Sequence, residues 1–422
     1  MTTDDPRAFL TELFQTAVAA ADPLEVLKGR LPEPPRGRTV VIGAGKGAAQ
    51  MAAAFESLWP GDLTGVVVTR YGYACPTDRI EVLEAAHPVP DAAGLAAGER
   101  LLDTVSGLTA DDLVVALVCG GGSALLPAPP QGLTLADEAA VNKALLASGA
   151  PIGEMNTVRK HLSRIKGGRL AAAAHPAQVV SLIVSDIPGD IPALVASGPT
   201  VPDTATRAQA LEIVSRYKME LPPAVMAHLN DPTADAPLPT DPVFAGHRVE
   251  VIASARLSLE AAAARSAALG LPAAILSDAI EGEARDIGRM HAALAQEVAR
   301  NNRPFSRPVV LLSGGETTVT LRGSGGRGGR NGELTLAMAI GLRDLDGVTA
   351  LAADTDGIDG SEDNAGAFAD GTTCDRLIAA GMDPNAQLAA NDSWGAFDAI
   401  GDLFVTGPTG TNVNDFRAIL IT

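Results

Sequence analysis

Short runs of Val, Ile and Leu recur along this chain, at 39 to 42, 64 to 69, 113 to 118 and 179 to 184. Alanine-rich helical patterns stand between them, near 46 to 58, 92 to 105, 136 to 148 and 157 to 174. Strands that are apolar on both faces need cover on both sides, and intervening helices supply it. The pattern therefore predicts parallel strands joined by right-handed crossovers. It resumes with strands near 248 to 253, 273 to 276, 308 to 312, 317 to 321, 348 to 353 and 417 to 421, and helices near 256 to 269, 283 to 300 and 331 to 343. Residues 7 to 29 read as a helix or helix pair. The stretch 230 to 247, NDPTADAPLPTDPVFAGH, has no periodicity and reads as an inter-domain linker. A chain of 422 residues exceeds one ordinary core, so the expectation is an α/β protein of two α/β domains, residues 1–232 and 246–422, the first a Rossmann-like parallel sheet.

Charge narrows the class of partner. The net charge of −18 speaks against nucleic acid, whose backbone calls for a basic face. Against that background Arg159, Lys160, His161, Arg164, Lys166 and Arg169 form a local positive island. The cysteines, Cys75, Cys119 and Cys374, lie far apart in no paired or metal-ligand spacing. No apolar run reaches membrane-spanning length, and the opening MTTDDPRAFLTELF is acidic and then amphipathic, unlike a signal peptide. The expectation is a cytoplasmic protein with small-molecule partners, no nucleic acid and no membrane. The sequence allows a homodimer.

The strand ends carry the chemistry. The first strand runs into Gly43-Ala44-Gly45-Lys46-Gly47, where backbone N–H groups at a helix start favour an anion and Lys46 adds a point charge. Ala48 stands where a dinucleotide fingerprint wants its third glycine, and the next strand ends in Thr69-Arg70 with no acid. A strand-to-helix turn with no ligand is the plain alternative. The third strand ends in Gly120-Gly121-Gly122-Ser123-Ala124, a backbone nest for phosphates with the Ser123 hydroxyl as an extra donor. A serine nucleophile is the rival reading, but the flanks are not a Gly-x-Ser-x-Gly elbow. His87 and His161 read as structural or as substrate contacts.

Within the positive island, Arg159, Lys160 and Lys166 are candidates to meet a small anionic substrate, against the alternative of a solvated basic face. Asp186 follows the strand VVSLIVS, where open α/β sheets hold ligands, and could orient Mg²⁺ or accept a hydroxyl proton. In the second half, SGGETTVTLRGSGGRGGRNGE at 313 to 333 reads as an anion cradle in which Arg327 or Arg330 forks onto phosphate or carboxylate oxygens. The loop LAADTDGIDG places Asp354, Asp356 and Asp359 together, suited to a hard cation although the spacing is not that of an EF-hand. Glu316 ends another strand and could join them, and Asx turns account for some of these aspartates. Glycine nests, cations and carboxylates at strand ends are what phosphoryl transfer requires.

The motifs GAGKGAAQMA, HPVPD, CGGGSALLP, MNTVRKHLSRIKGGRLA, SDIPGD, ASGPTVPD, SGGET, GGRNGE, DTDGIDG and TGPTGTNVND, in this order over nearly the whole chain, resemble the class II glycerate 2-kinases, whose C-terminal part is the MOFRL domain. The resemblance implies ATP-dependent, Mg²⁺-assisted phosphorylation of D-glycerate at its 2-hydroxyl, in a cleft between a Rossmann-like domain and a MOFRL-type domain. It makes Lys46 and Arg330 the leading catalytic candidates, with Asp186 for base or metal orientation. Gly43, Gly45, Gly120 to Ala124, Gly315 and Glu316 become nucleotide or phosphate contacts. Arg159, Lys160, Arg327 and Asn331 become substrate contacts, and Asp186, Asp354 and Asp356 metal ligands. Two positions depart from the pattern, Gly332 where Gln is usual and Cys119 where Ser is usual. An NAD(P)H-dependent reductase of hydroxypyruvate or tartronate semialdehyde, with Arg70 receiving a 2′-phosphate, is the second reading. A catalytically silent nucleotide sensor is the third.

Overall fold

The computed structural model describes residues 5–321 and 326–422. The chain forms two compact units, Pro23–Ile252 and the residues up to Asp22 together with Ala253–Thr422. The chain passes between them twice. The reason is the first helix, Pro6–Ala19, which buries Phe9, Leu10, Leu13 and Phe14 in the same core as Leu259, Phe404 and Phe416. Its sequence shows an apolar face but not which core receives it. The segment expected as a linker belongs to the unit Pro23–Ile252, where it forms two short 3₁₀ turns, Pro232–Ala234 and Pro242–Phe244.

The unit Pro23–Ile252 is built on a sheet of strands β1 Thr39–Ala44, β2 Thr64–Arg70, β3 Ile80–Ala85, β4 Leu113–Cys119, β5 Gln178–Ser185 and β6 Arg248–Ser254. Their order is β3-β2-β1-β4-β5-β6, and β3 to β5 pair in parallel. All seven residues of β4 are buried, and each large apolar one contributes about 1.5–3 kcal/mol by leaving water. This is why the central strands read as unbroken apolar runs. β3 was not evident in the sequence, because Glu81 and Glu84 break its apolar run.

The other unit has strands β7 Ala273–Ser277, β8 Gly282–Glu283, β9 Val309–Gly315, β10 Thr317–Thr318, β11 Val348–Asp354, β12 Gly366–Asp370, β13 Leu403–Phe404 and β14 Asp415–Ile421. Six form one sheet, β13-β12-β11-β14-β9-β7, and β10 pairs with β8. The expected parallel arrangement fails here. Only β7 and β9 run parallel in the large sheet, while β9, β14, β11, β12 and β13 pair antiparallel. Helices cover both faces of either kind of sheet, so apolar runs alone do not distinguish strand direction. The helices Ala284–Asn301 and Arg330–Leu342 pack on one face with Leu311, Ala350 and Ile419, and Pro6–Ala19 lies on the other with Leu312, Leu351 and Phe416.

Candidate functional site

In the sheet of the unit Pro23–Ile252 the order reverses between β1 and β4, which lead outward to β2 and β5 respectively. Open α/β sheets bind ligands at the carboxyl ends of such a pair. Both strands end there in glycine loops. Gly45 (φ +135°) and Gly121 (φ +79°) have conformations that disfavour a side chain. The Lys46 N–H donates to the Gly120 carbonyl at 2.9 Å and joins the two loops. A Cβ on Gly120 would overlap the Asp186 carboxylate, and one on Gly121 would stand 3.1 Å from Lys46 Cγ and 3.2 Å from His87 Nε2. These glycines are what let Lys46, His87 and Asp186 crowd against the β4 loop.

Lys46 is half-buried, and among the described residues its ammonium has no ion-pair or hydrogen-bond partner. Burial, then Lys46 and then Arg70, push His87 down to about 4, so its imidazole is neutral at physiological pH. Beside these groups lies a cleft of about 670 Å³ lined by His87, Gly121, Ser123, Ala124, Asn142, Lys143, Arg159 and Lys166. Arg159 donates to Asn142 Oδ1 at 2.9 Å and to Asn156 Oδ1 at 3.1 Å, and has no carboxylate partner among the described residues. Burial pushes its pKa down, opposed by Glu138. It remains a cation facing the cleft. Lys160 does not join it: its helix, Ile152–Lys160, ends there, and its side chain is buried in an ion pair with Asp203. The helix expected through 174 is interrupted from 161 to 168, and Gly167 and Gly168, both with positive φ, complete the turn. The turn brings Lys166 to the cleft, paired with Glu138 at 3.0 Å. Lys166 thus lines the cleft as expected, whereas Lys143 was not singled out from the sequence, which does not show that its helix faces the same cleft.

The segment Ala196-Ser197-Gly198 passes through the left-handed region at three successive residues, with φ of +51°, +61° and +60°. For Ala and Ser this costs about 1–2 kcal/mol each. Ala196 packs against Gly122, where a Cβ would stand 2.7 Å away, and Ser197 reaches Ser123 Oγ at 2.8 Å.

Arg330 opens the helix Arg330–Leu342 of the other unit. Its Nε donates to Asp415 and a terminal nitrogen to Asp354, both at 2.7 Å, while its other terminal nitrogen lies 3.6 Å from Glu316. Burial lowers its pKa, but Asp415, Asp354 and Glu316 outweigh that and hold it above the usual range. Asp415 is in turn bound by Arg417 and by Asn331 Nδ2, the latter at 2.8 Å. Asp359 caps the helix, accepting the N–H groups of Asn331 at 2.9 Å and Gly332 at 2.7 Å. Burial pushes its carboxyl up to about 6, against the pull of those two donors.

These contacts alter the expectation of an anion cradle at 313 to 333. Residues 322–325 lie outside the described residues; of the remainder, the helix N-terminus that should receive an anion already holds Asp359. Arg327 pairs with Glu362 and lies 3.6 Å above the Trp394 ring. Gly43 and Gly315 are accounted for by packing, since a Cβ on either would overlap the Leu117 carbonyl or the Ile280 backbone. Gly332 likewise leaves no room for a side chain beside Ser393 and Asp359. Cys119 is buried against Met51, and burial, reinforced by Asp186, pushes its thiol up to about 12.

The carboxylates fit a protein-only metal site poorly. Among the described residues no three His, Cys, Asp or Glu side chains are placed to hold an ion. Both Asp354 oxygens are engaged, by Arg330 and by the Asp356 N–H, and Asp356 Oδ1 accepts from the Ile358 N–H at 2.9 Å. Burial, together with Asp356 and Asp415, raises the Asp354 pKa well above the carboxylate range despite Arg330. Asp354 is therefore a structural partner of Arg330, and Asp356 keeps one oxygen without a described partner. One or two carboxylates suffice for a Mg²⁺ that arrives with nucleotide phosphates and keeps its waters.

Comparison with known proteins places the chain in a family. The model of the "Domain of unknown function (DUF4147)" matches residues 9–230 and that of the "MOFRL family" residues 309–415. A protein of Agrobacterium vitis named "Putative hydroxypyruvate reductase" is 54% identical over 98% of this chain and 94% of its own. The D-glycerate 2-kinase of Thermotoga maritima is 40% identical over 97% of both chains. The crystal structure of a glycerate kinase from Thermotoga maritima matches with a TM-score of 0.89 at 39% identity, over 97% of this chain and 98% of that one. The chain belongs to the class II glycerate 2-kinase family, in which a DUF4147 region is followed by a MOFRL region.

Proposed function

We propose that this protein is an ATP-dependent kinase that transfers the γ-phosphoryl group to the 2-hydroxyl of D-glycerate, giving 2-phosphoglycerate. The observation that carries the reading is the ammonium of Lys46, free of any described carboxylate at the strand-order reversal, between two glycine loops. In a chain of net charge −18, a half-buried cation without an internal partner is suited to an anionic ligand.

The backbone N–H groups of the Gly120 to Gly122 loop receive phosphate oxygens, and Lys46 neutralises charge on the moving group; the Gly45 loop, expected to do the same, spends its own N–H groups on Val68, Gly120 and Cys119. Arg159, with Lys143 beside it, binds the glycerate carboxylate. Asp186, pressed against Gly120, accepts the proton of the attacking hydroxyl. In its own unit Arg330 is held by Asp354 and Asp415, which leave its remaining terminal nitrogen for an anion. When bound, Mg²⁺ would neutralise charge on the nucleotide phosphates, and Asp356, which keeps one oxygen without a described partner, is the carboxylate that would hold it.

The reductase reading has less support. Arg70, the candidate for a 2′-phosphate, stacks at 3.7 Å on the Tyr73 ring and binds its hydroxyl. Purified protein should release ADP from ATP and Mg²⁺ only when D-glycerate is present. NADPH oxidation on hydroxypyruvate without that ADP release would overturn the proposal.

A further inference from the structure

Asn156, Ser197 and Ser123 form a hydrogen-bonded chain whose direction is dictated by Arg159. An arginine can only donate, so Asn156 must present its carbonyl oxygen to Arg159, at 3.1 Å. That same oxygen lies 3.3 Å from Ser197 Oγ and cannot donate. Ser197 therefore spends its single proton on Asn156. Its oxygen, 2.8 Å from Ser123 Oγ, can then only accept, so the Ser123 proton points inward to Ser197. Ser197 and Asn156 are buried, while Ser123 lines the cleft with Arg159. What Ser123 offers the cleft is a pair of acceptor lone pairs.

This reverses the role expected of Ser123. An oxygen with no proton to give repels a phosphate or carboxylate oxygen and accepts from a hydroxyl. The chain ends on an amide oxygen that cannot take up a proton, so Ser123 can recognise a hydroxyl but not deprotonate one. We infer that Ser123 reads the non-reacting 3-hydroxyl of the substrate while Arg159 holds the carboxylate, and that Ser197 is the positioning residue that fixes Ser123 as an acceptor. The inference rests on the kinase reading above and deepens it. It also gives the left-handed backbone at Ser197 a purpose. A turn alone would be served better by glycine, which adopts φ +61° without a Cβ penalty.

Ser197→Gly separates the two roles, because it removes the hydroxyl while easing the backbone. D-Lactate, which is D-glycerate without the 3-hydroxyl, competes for the site whether or not its own 2-hydroxyl is phosphorylated, and its inhibition constant is read with enolase, which responds only to 2-phosphoglycerate. In the variant the KM for D-glycerate should rise about tenfold, the scale of one lost hydrogen bond. The inhibition constant of D-lactate should stay within about twofold by the same argument, and the melting temperature should hold or rise. Ser123→Ala should give the same split. Both constants moving together, or neither moving, in either variant would overturn the inference. Wild-type protein that makes no ADP with D-glycerate would instead overturn the kinase reading.

Discussion

The β1 and β4 loops of one unit and the glycine loop before Arg330 in the other present the same sequence signal, glycines interleaved with cations at a strand or helix end. They have opposite electrostatic states. Lys46 stands without a described partner, and no described carboxylate pairs with Arg159. Arg330 is forked onto two buried carboxylates, and its helix N-terminus is filled by a third. A glycine loop is thus a binding site for an external anion only where the chain does not deliver its own carboxylate first. In the second case the cation is preorganised, and only one of its nitrogens is left for other work.

The sharpest break of this comparison is substitution of the cations. Lys46→Met should lower kcat by about a hundred- to a thousandfold, as removal of one charge-stabilising donor does elsewhere, with the melting temperature nearly unchanged. Arg330→Met should lower activity too, but it strands buried Asp354 and Asp415 and should cost about 3–5 kcal/mol of stability. Denaturant titration of the two variants checks the contrast. Equal stability losses would show that Lys46 is as firmly paired as Arg330.

Acid titration gives a smaller effect that distinguishes buried groups within the Arg330-bearing unit. His291 is held down to about 4 by burial and by Arg417, with the Ile287 carbonyl opposing. Its folded pKa lies below the unfolded value near 6.5, so stability is fully present above pH 6.5 and is lost as pH falls through 4, by up to about 3 kcal/mol. Asp359, raised to about 6, works the other way: between its unfolded value near 3.8 and 6 the folded state holds the extra proton, so stability falls as pH rises through that window. Denaturant midpoints from pH 4 to 7 should therefore become steeper in the acid direction for Asp359→Asn and flatter for His291→Gln.

The mildest test is Arg159→Lys. It keeps the charge but loses the planar fork onto Asn142 and Asn156, and the KM for D-glycerate should rise about tenfold with little change in melting temperature. An unchanged KM would remove Arg159 from substrate binding.

What the sequence conveyed follows from how each signal arises. The strands β1, β2, β4 and β5 were legible because burial on both faces leaves mainly apolar runs, and Lys46 because it follows such a strand through glycines. The second sheet's antiparallel pairing was not legible, since two-sided burial hides strand direction. The membership of Pro6–Ala19 in the far unit was hidden for a related reason, as an apolar face does not name its partner. The pairing of Lys160 with Asp203 and of Arg330 with Asp354 and Asp415 depends on contacts between distant residues, which no local spacing encodes. Ser197 was quoted in a motif but not as a site residue, because its role lies in the direction of a hydrogen-bonded chain.

Lys46, without a partner among the described residues, stands at the strand-order reversal to serve transfer to the 2-hydroxyl of D-glycerate. The most direct measurement is the product of wild-type and Lys46→Met protein with D-glycerate, ATP and Mg²⁺, read by enolase, which accepts 2-phosphoglycerate and not the 3-isomer. The account predicts immediate enolase signal from wild type and a loss of about a hundredfold or more from the variant. Signal that appears only after a mutase is added, or equal rates from the two proteins, would contradict it.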